Sequence, residues 1–261
     1  MARITHRVHF PGHAGNTLAG IIELPTSAPL GFLLFSHCFT CNKDLKAIVR
    51  ISRELADKGW GVLRYDFSGL GGSTGDFSQT NFSTNQLDLQ AAIEFVATHY
   101  DYPAFLIGHS FGGAASMSLA QATQVRGVVA IGAPSDTYHL AELLQRMDPK
   151  ILELGVGEVT IGGKKYAIDQ QMIHDFRGHD LQATVRKLTK PMLVFHSPSD
   201  ETVQFHHAIT NCGYAQLEAE GSVPPNRSLI SLPNCNHLLT TSDQDCRFVA
   251  EVADGWFRRW I

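Results

Sequence analysis

The stretch "LIGHSFGG", Leu106 to Gly113, decides how the rest of the chain is read. One apolar run ends there and another begins, with Ser110 at the joint in the pattern Gly108-His109-Ser110-Phe111-Gly112. On one side, "AFLIGH" (104–109) has the unbroken apolar character of a strand buried on both faces; on the other, "FGGAASMSLAQAT" has helical composition. So short a turn from strand to helix needs small residues, and it leaves the serine side chain standing at the sheet edge above the helix start. The pattern predicts a nucleophile, while a serine there also serves as a plain helix cap.

The alternation extends in both directions. "RVHF" and "LAGIIEL" flank the turn-forming "PGHAGN" and predict an antiparallel opening hairpin. "GFLLFSH" (31–37) and "GVLRYDF" (61–67) read as strands, each followed by a helical stretch, at about 44–58 and 84–99. Further strands are expected at 125–134, 191–197 and 228–233, with a short helix before the last and a terminal helix to Trp260. This order predicts a single α/β domain over 1–261, a mostly parallel central sheet with helices on both faces. The rhythm breaks at about 135–188, which holds the helical "HLAELLQRM", a hairpin "EVTIGGKKYAI" and a second helical stretch "DQQMIHDFRGHDL". Too long for a plain connection, it is expected to be a small inserted cap over the carboxyl edge of the sheet.

A serine hydroxyl attacks only when a base takes its proton and a carboxylate orients that base. Asp200 in "PSDETV" and His237 in "PNCNHLLT", each just beyond a later strand, suit these roles; Asp136, near another strand end, is the rival acid. Main-chain N–H groups must face the developing oxyanion. Phe111, directly after the serine, and Phe39, in "HCFTCNKD", are the candidates. In the inserted segment Met172 and Phe176 are candidate substrate-binding residues, with Leu140, Leu143, Leu144, Met147 and Ile173 at matching helical spacing.

Composition narrows the partners. The chain has 261 residues, 44% hydrophobic, and a formal net charge of -4 with both signs interspersed, which offers no basic face to nucleic acid or anionic lipid. "MARITHRVHF" lacks the apolar core of a signal peptide and no apolar run is long enough to span a bilayer, so a soluble, cytoplasmic protein with a small-molecule substrate is expected. Five widely spaced cysteines argue against a disulfide framework. Cys38 and Cys41 form a CxxC with no second pair to complete a zinc site, so they are expected to be buried or idle thiols, and activity to be indifferent to chelators and reductants. No HExxH or GKS occurs, and the glycines at 70–75 read as a turn; no metal or cofactor is required.

"SHCFTCNKD", "LRYDFSGLGGSTGDF", "GHSFGGAA", "FHSPSDETV" and "NCNHLLT" together resemble the serine α/β-hydrolases that form the amino-terminal half of bacterial fusions with an OsmC-like peroxide-reducing domain. They are similar, more distantly, to cinnamoyl and feruloyl esterases. The resemblance spans nearly the whole chain and implies the α/β-hydrolase fold, Ser110, Asp200 and His237 as a triad, Phe39 and Phe111 as oxyanion donors, and an OsmC-like domain or protein as partner. It departs from the related HGF pattern in having Cys38 for glycine, and the chain ends at Ile261 without an OsmC-like half. The expected activity is carboxylic ester hydrolysis through an acyl-enzyme, with apolar or aromatic acyl groups favoured. The alternatives are an amidase or peptidase of the same fold, or a non-catalytic docking module for an OsmC-like partner.

Overall fold

Long apolar runs that alternate sides pack helices on both faces of a sheet, and the computed structural model, which describes residues 3–100, 104–213 and 226–261, is built that way. β1 (Arg3–Pro11) and β2 (Thr17–Pro25) form the antiparallel opening hairpin. The parallel strands are β3 (Phe32–Ser36), β4 (Gly61–Tyr65), β5 (Ala104–His109), β6 (Val125–Ile131), β9 (Met192–His196) and β10 (Arg227–Ser231). They complete one eight-stranded sheet in the order β1-β2-β4-β3-β5-β6-β9-β10.

Strand residues divide between two cores by parity. Phe32 and Leu34, Leu106, Val128 and Ala130, and Val194 face one side, with α2 (Phe82–Tyr100) and α3 (Phe111–Leu119). Leu33 and Phe35, Phe105 and Ile107, Val129, and Leu193 and Phe195 face the other, under α1 (Lys46–Asp57) and the terminal helix α9 (Asp243–Arg258). The helix before β10 is α8 (His206–Cys212).

Between β6 and β9 the chain forms α4 (Tyr138–Met147), α5 (Lys150–Leu154), the hairpin β7 (Val156–Ile161) and β8 (Lys164–Asp169), α6 (Gln170–Gly178) and α7 (Leu181–Arg186). Leu140, Leu144, Ile151, Ile168, Met172, Ile173 and Phe176 of this insert join the core that also holds α2 and α3. Leu143 and Met147 are exposed instead. Among the described residues no helix is long and apolar enough to cross a membrane.

Candidate active site

The turn at Ser110 is strained and tightly closed. Ser110 has φ 54° and ψ -123°, its N–H donates to the Ile131 carbonyl at 2.8 Å, and its own carbonyl accepts from Gly113 and Ala114. The flanking glycines make room: a Cβ at Gly108 would sit 2.2 Å from the Gly112 carbonyl oxygen, and one at Gly112 would sit 2.3 Å from that of Ser36. Phe111 and Gly112 open α3, where N–H groups have no preceding carbonyl to bind, so the helix start directs unpaired donors at the space beside Ser110.

The candidate acid and base meet at the same edge. Asp200 Oδ2 lies 2.7 Å from His237 Nδ1, while Oδ1 accepts the N–H groups of Thr202 and Val203, both at 2.9 Å. Burial works against a charged Asp200, but the His237 contact and the two N–H donors outweigh it and hold its pKa below the usual carboxylate value. A charged Asp200 accepts a hydrogen bond from the Nδ1–H of His237, which leaves Nε2 as the basic lone pair. A Cβ at Gly132 would lie 3.4 Å from Asp200 Oδ2 and 3.6 Å from His237 Nδ1, and Gly132 follows Ile131, whose carbonyl holds Ser110. Asp136, the rival acid, instead accepts from the His139 N–H at 3.0 Å and lies 3.7 Å from His207; the His139 contact holds its pKa at about 2.

The loop carrying Phe39 corrects one expectation from the sequence. Cys38 and Cys41 are not idle thiols; they form a disulfide. The Cys41 N–H donates to the Cys38 carbonyl at 3.1 Å, and this turn brings the two Cα atoms to 5.3 Å, within bridging range. Thr40 takes φ 58° inside the turn. His37 holds it from below, donating from Nδ1 to the Cys38 carbonyl (2.8 Å) and accepting at Nε2 from the Phe67 N–H (3.1 Å). Beyond the turn, Asp66 accepts from the N–H and Nζ of Lys43 and the N–H of Gly72, so the glycine-rich 69–75 loop wraps a carboxylate.

Side chains of the insert reach this loop. Phe176 lies 6.0 Å from Phe39 and 5.5 Å from Phe111 between ring centroids, and Phe39 and Phe111 lie 5.6 Å apart. The Tyr166 hydroxyl donates to the Thr40 carbonyl at 3.1 Å. Met172 and Phe176 are both fully buried; Phe176 touches the side chains of both candidate oxyanion residues.

Over residues 31–156 the chain matches the family described as serine aminopeptidase, S33. The esterase domain of a Rhodothermus marinus protein is 34% identical to it, with a TM-score of 0.73 over 98% of this chain and 99% of that one. The chain belongs to the α/β-hydrolase family. This α/β-hydrolase is also similar in fold to Est1E from Butyrivibrio proteoclasticus with ferulic acid bound, at 20% identity and a TM-score of 0.81 over 97% of this chain and 98% of that one. The mitochondrial palmitoyl-protein thioesterase ABHD10 of Rattus norvegicus is 24% identical over 185 residues, 68% of this chain. The match covers 61% of that thioesterase, and matches to two other curated relatives cover 57% and 46% of their lengths. Three features of the α/β-hydrolase site went unread in the sequence: the disulfide, the Tyr166 contact and the N–H pair from Thr202 and Val203. Only the first had a local signal, the CxxC spacing itself.

Proposed function

We propose that the protein is a serine hydrolase that cleaves carboxylic esters, including thioesters, through an acyl-enzyme. The observation that carries this reading is the 2.7 Å contact of Asp200 with His237 Nδ1 at the same edge as the strained Ser110 turn. His237 Nε2 removes the Ser110 proton as Oγ attacks the ester carbonyl, and the carbonyl π pair moves to oxygen. The N–H groups of Phe39 and Phe111 bind that oxyanion. When it collapses, the bond to the leaving group breaks and His237 returns the proton to the departing alkoxide or thiolate. Water, deprotonated by His237, then repeats the sequence and frees the acid and Ser110.

The rings of Phe39, Phe77, Phe111 and Phe176 are linked by centroid distances of 5.5–6.0 Å, an aromatic cluster at the candidate oxyanion residues in which Phe39 and Phe77 are half-buried and Phe111 and Phe176 buried. It favours apolar or aromatic acyl groups. Similarity to the esterase domain of the Rhodothermus protein supports ester cleavage, and similarity to the palmitoyl-protein thioesterase supports an apolar acyl group. A panel of p-nitrophenyl esters, thioesters and anilides sharing one acyl group tests it, together with fluorophosphonate labelling of Ser110. Ester turnover above anilide turnover by about a hundredfold is expected. Faster anilide cleavage, or folded protein that resists labelling, overturns the reading.

A further inference from the structure

His109 is the last residue of β5 and His196 the last residue of β9, and their side chains share one geometry. Both imidazoles are buried, at 2% and 0% exposure. Each brings Nε2 to 2.7 Å from a main-chain carbonyl: His109 to that of His237 itself, His196 to that of Val203, whose N–H holds Asp200. A carbonyl only accepts, so Nε2 carries the proton in both rings and Nδ1 is left as a bare lone pair. Both Nδ1 atoms are buried with no hydrogen-bond partner. An imidazole in that state gives one hydrogen bond and nothing else.

We propose that His109 and His196 are a matched pair of positioning residues, uncharged imidazoles whose N–H groups pin the main chains that bear the base and the acid. The proposal rests on reading Ser110, Asp200 and His237 as the triad. Through His109 the nucleophile and the base become one circuit: a peptide bond joins Ser110 to His109, a hydrogen bond joins His109 to the His237 main chain, and Asp200 turns the His237 ring. Through His196 the acid loop is tied back to β9. Across β6, Ser110 donates to the Ile131 carbonyl and Gly132 to the Phe195 carbonyl, both at 2.8 Å, so the two strand ends move together.

Neutrality explains why histidine serves here and lysine or arginine would not. The His109 ring centroid is 5.1 Å from that of His237, and His196 Nε2 is 3.8 Å from Asp200 Oδ2. A fixed cation in either place would oppose the positive charge that His237 gains when it takes the Ser110 proton, or compete for Asp200. Burial, followed by the proximity of His237, pushes His109 down to about 3, with Asp200 and His37 also facing it. Burial lowers His196 as well, with Asp200, His237 and His206 around it.

Phenylalanine and glutamine at each position separate donation from space filling. Glutamine Nε2 falls near the position of imidazole Nε2, whereas phenylalanine keeps the ring and loses the donor. For His109→Phe and His196→Phe we expect kcat on an activated ester to fall about thirtyfold or more with KM within about threefold. His109→Gln and His196→Gln should return to within about fivefold of the parent. Phenylalanine variants as active as the parent overturn the proposal, as do phenylalanine and glutamine variants impaired equally while folded by circular dichroism. If His109→Phe does not fold, His109→Asn, whose shorter amide stops short of the carbonyl, takes its place in the comparison. Full activity in Ser110→Ala would remove the serine-hydrolase reading itself; an inactive Ser110→Ala beside a fully active His109→Phe would remove only this inference.

Discussion

The carboxyl edge of the sheet and the insert are held by bonds of different reach. At the edge the bonds run between residues of the edge itself: the Ile131 carbonyl holds the Ser110 N–H, the nearby N–H groups of Thr202 and Val203 hold Asp200, and the His109 ring holds the His237 carbonyl. The insert is fastened by side chains. Gln171 bonds the Ser78 and Thr80 carbonyls, Asp175 accepts from the N–H groups of Phe82 and Ser83, and Tyr166 and Phe176 lean on the loop of residues 38–41. Bonds closed within the edge persist whatever side chains the insert carries, whereas the insert's grip on the body of the fold changes with each substitution at Tyr166, Gln171, Asp175 or Phe176. On the proposed function, this difference puts chemistry at the edge and selection among substrates with the insert.

Four measurements can break or sharpen that division. The largest effect belongs to the edge: Ser110→Ala and Asp200→Asn should each lower turnover of an activated ester about a thousandfold or more, and combined losses should fall far short of the product. Asp136→Asn should stay within about threefold of the parent in the same assay. It should also be less stable than the parent above about pH 4, where the parent's carboxylate is charged and held by His139, and that difference should vanish as pH falls toward about 2. A large loss of activity in Asp136→Asn would move the acid to the insert's first turn and collapse the division.

The next effect tests the loop where the two regions meet. Reduction of the Cys38–Cys41 disulfide, or Cys38→Ser with Cys41→Ser, should lower kcat about tenfold by loosening the Phe39 N–H, less than the outright loss of an oxyanion donor. Cys212, Cys235 and Cys246 are buried, and burial pushes Cys212 and Cys235 up to about 12, so a response to dithiol reductant reports on the bridged pair. Unchanged activity after confirmed reduction would show that the turn holds without its bridge.

Within the insert, Phe176→Leu should change the ratio of aromatic to acetyl ester turnover about tenfold while acetyl turnover stays within about threefold. A uniform loss across all esters would place Phe176 with the chemistry. The smallest effect is expected of Tyr166→Phe, which removes one hydrogen bond to the Thr40 carbonyl: about threefold in kcat and about 1 kcal/mol in stability, read by denaturant titration.

Legibility in the sequence follows the same boundary. Strands such as 104–109 and 61–65 and the helix at 46–57 declare themselves through local periodicity, and Gly108, Ser110 and Gly112 declare the turn between them. Asp200 and His237 could be picked out because parallel strands bring their ends to one edge. The helices at 150–154 and 181–186 could not, being too short for an apolar period to emerge. His109 and His196 gave no signal either, since what distinguishes them is a carbonyl 128 residues away in one case and seven in the other. Cys38 and Cys41 were visible as a pair, but whether they bridge depends on the turn that Thr40 permits.

The sheet order has a consequence for how the molecule acquires its activity. Neighbouring strands β6 and β9 are separated by the whole insert, and His237, the proposed base, lies just beyond β10, the last strand to be made. Contacts of such long sequence separation are slow to form, because loop closure must precede any reward. An intermediate with β3, β4, β5 and α3 in place would hold the Ser110 turn without its base. Ser110 would then be present yet inert until β10 adds to the edge, so the appearance of fluorophosphonate reactivity during refolding marks the final step of strand assembly.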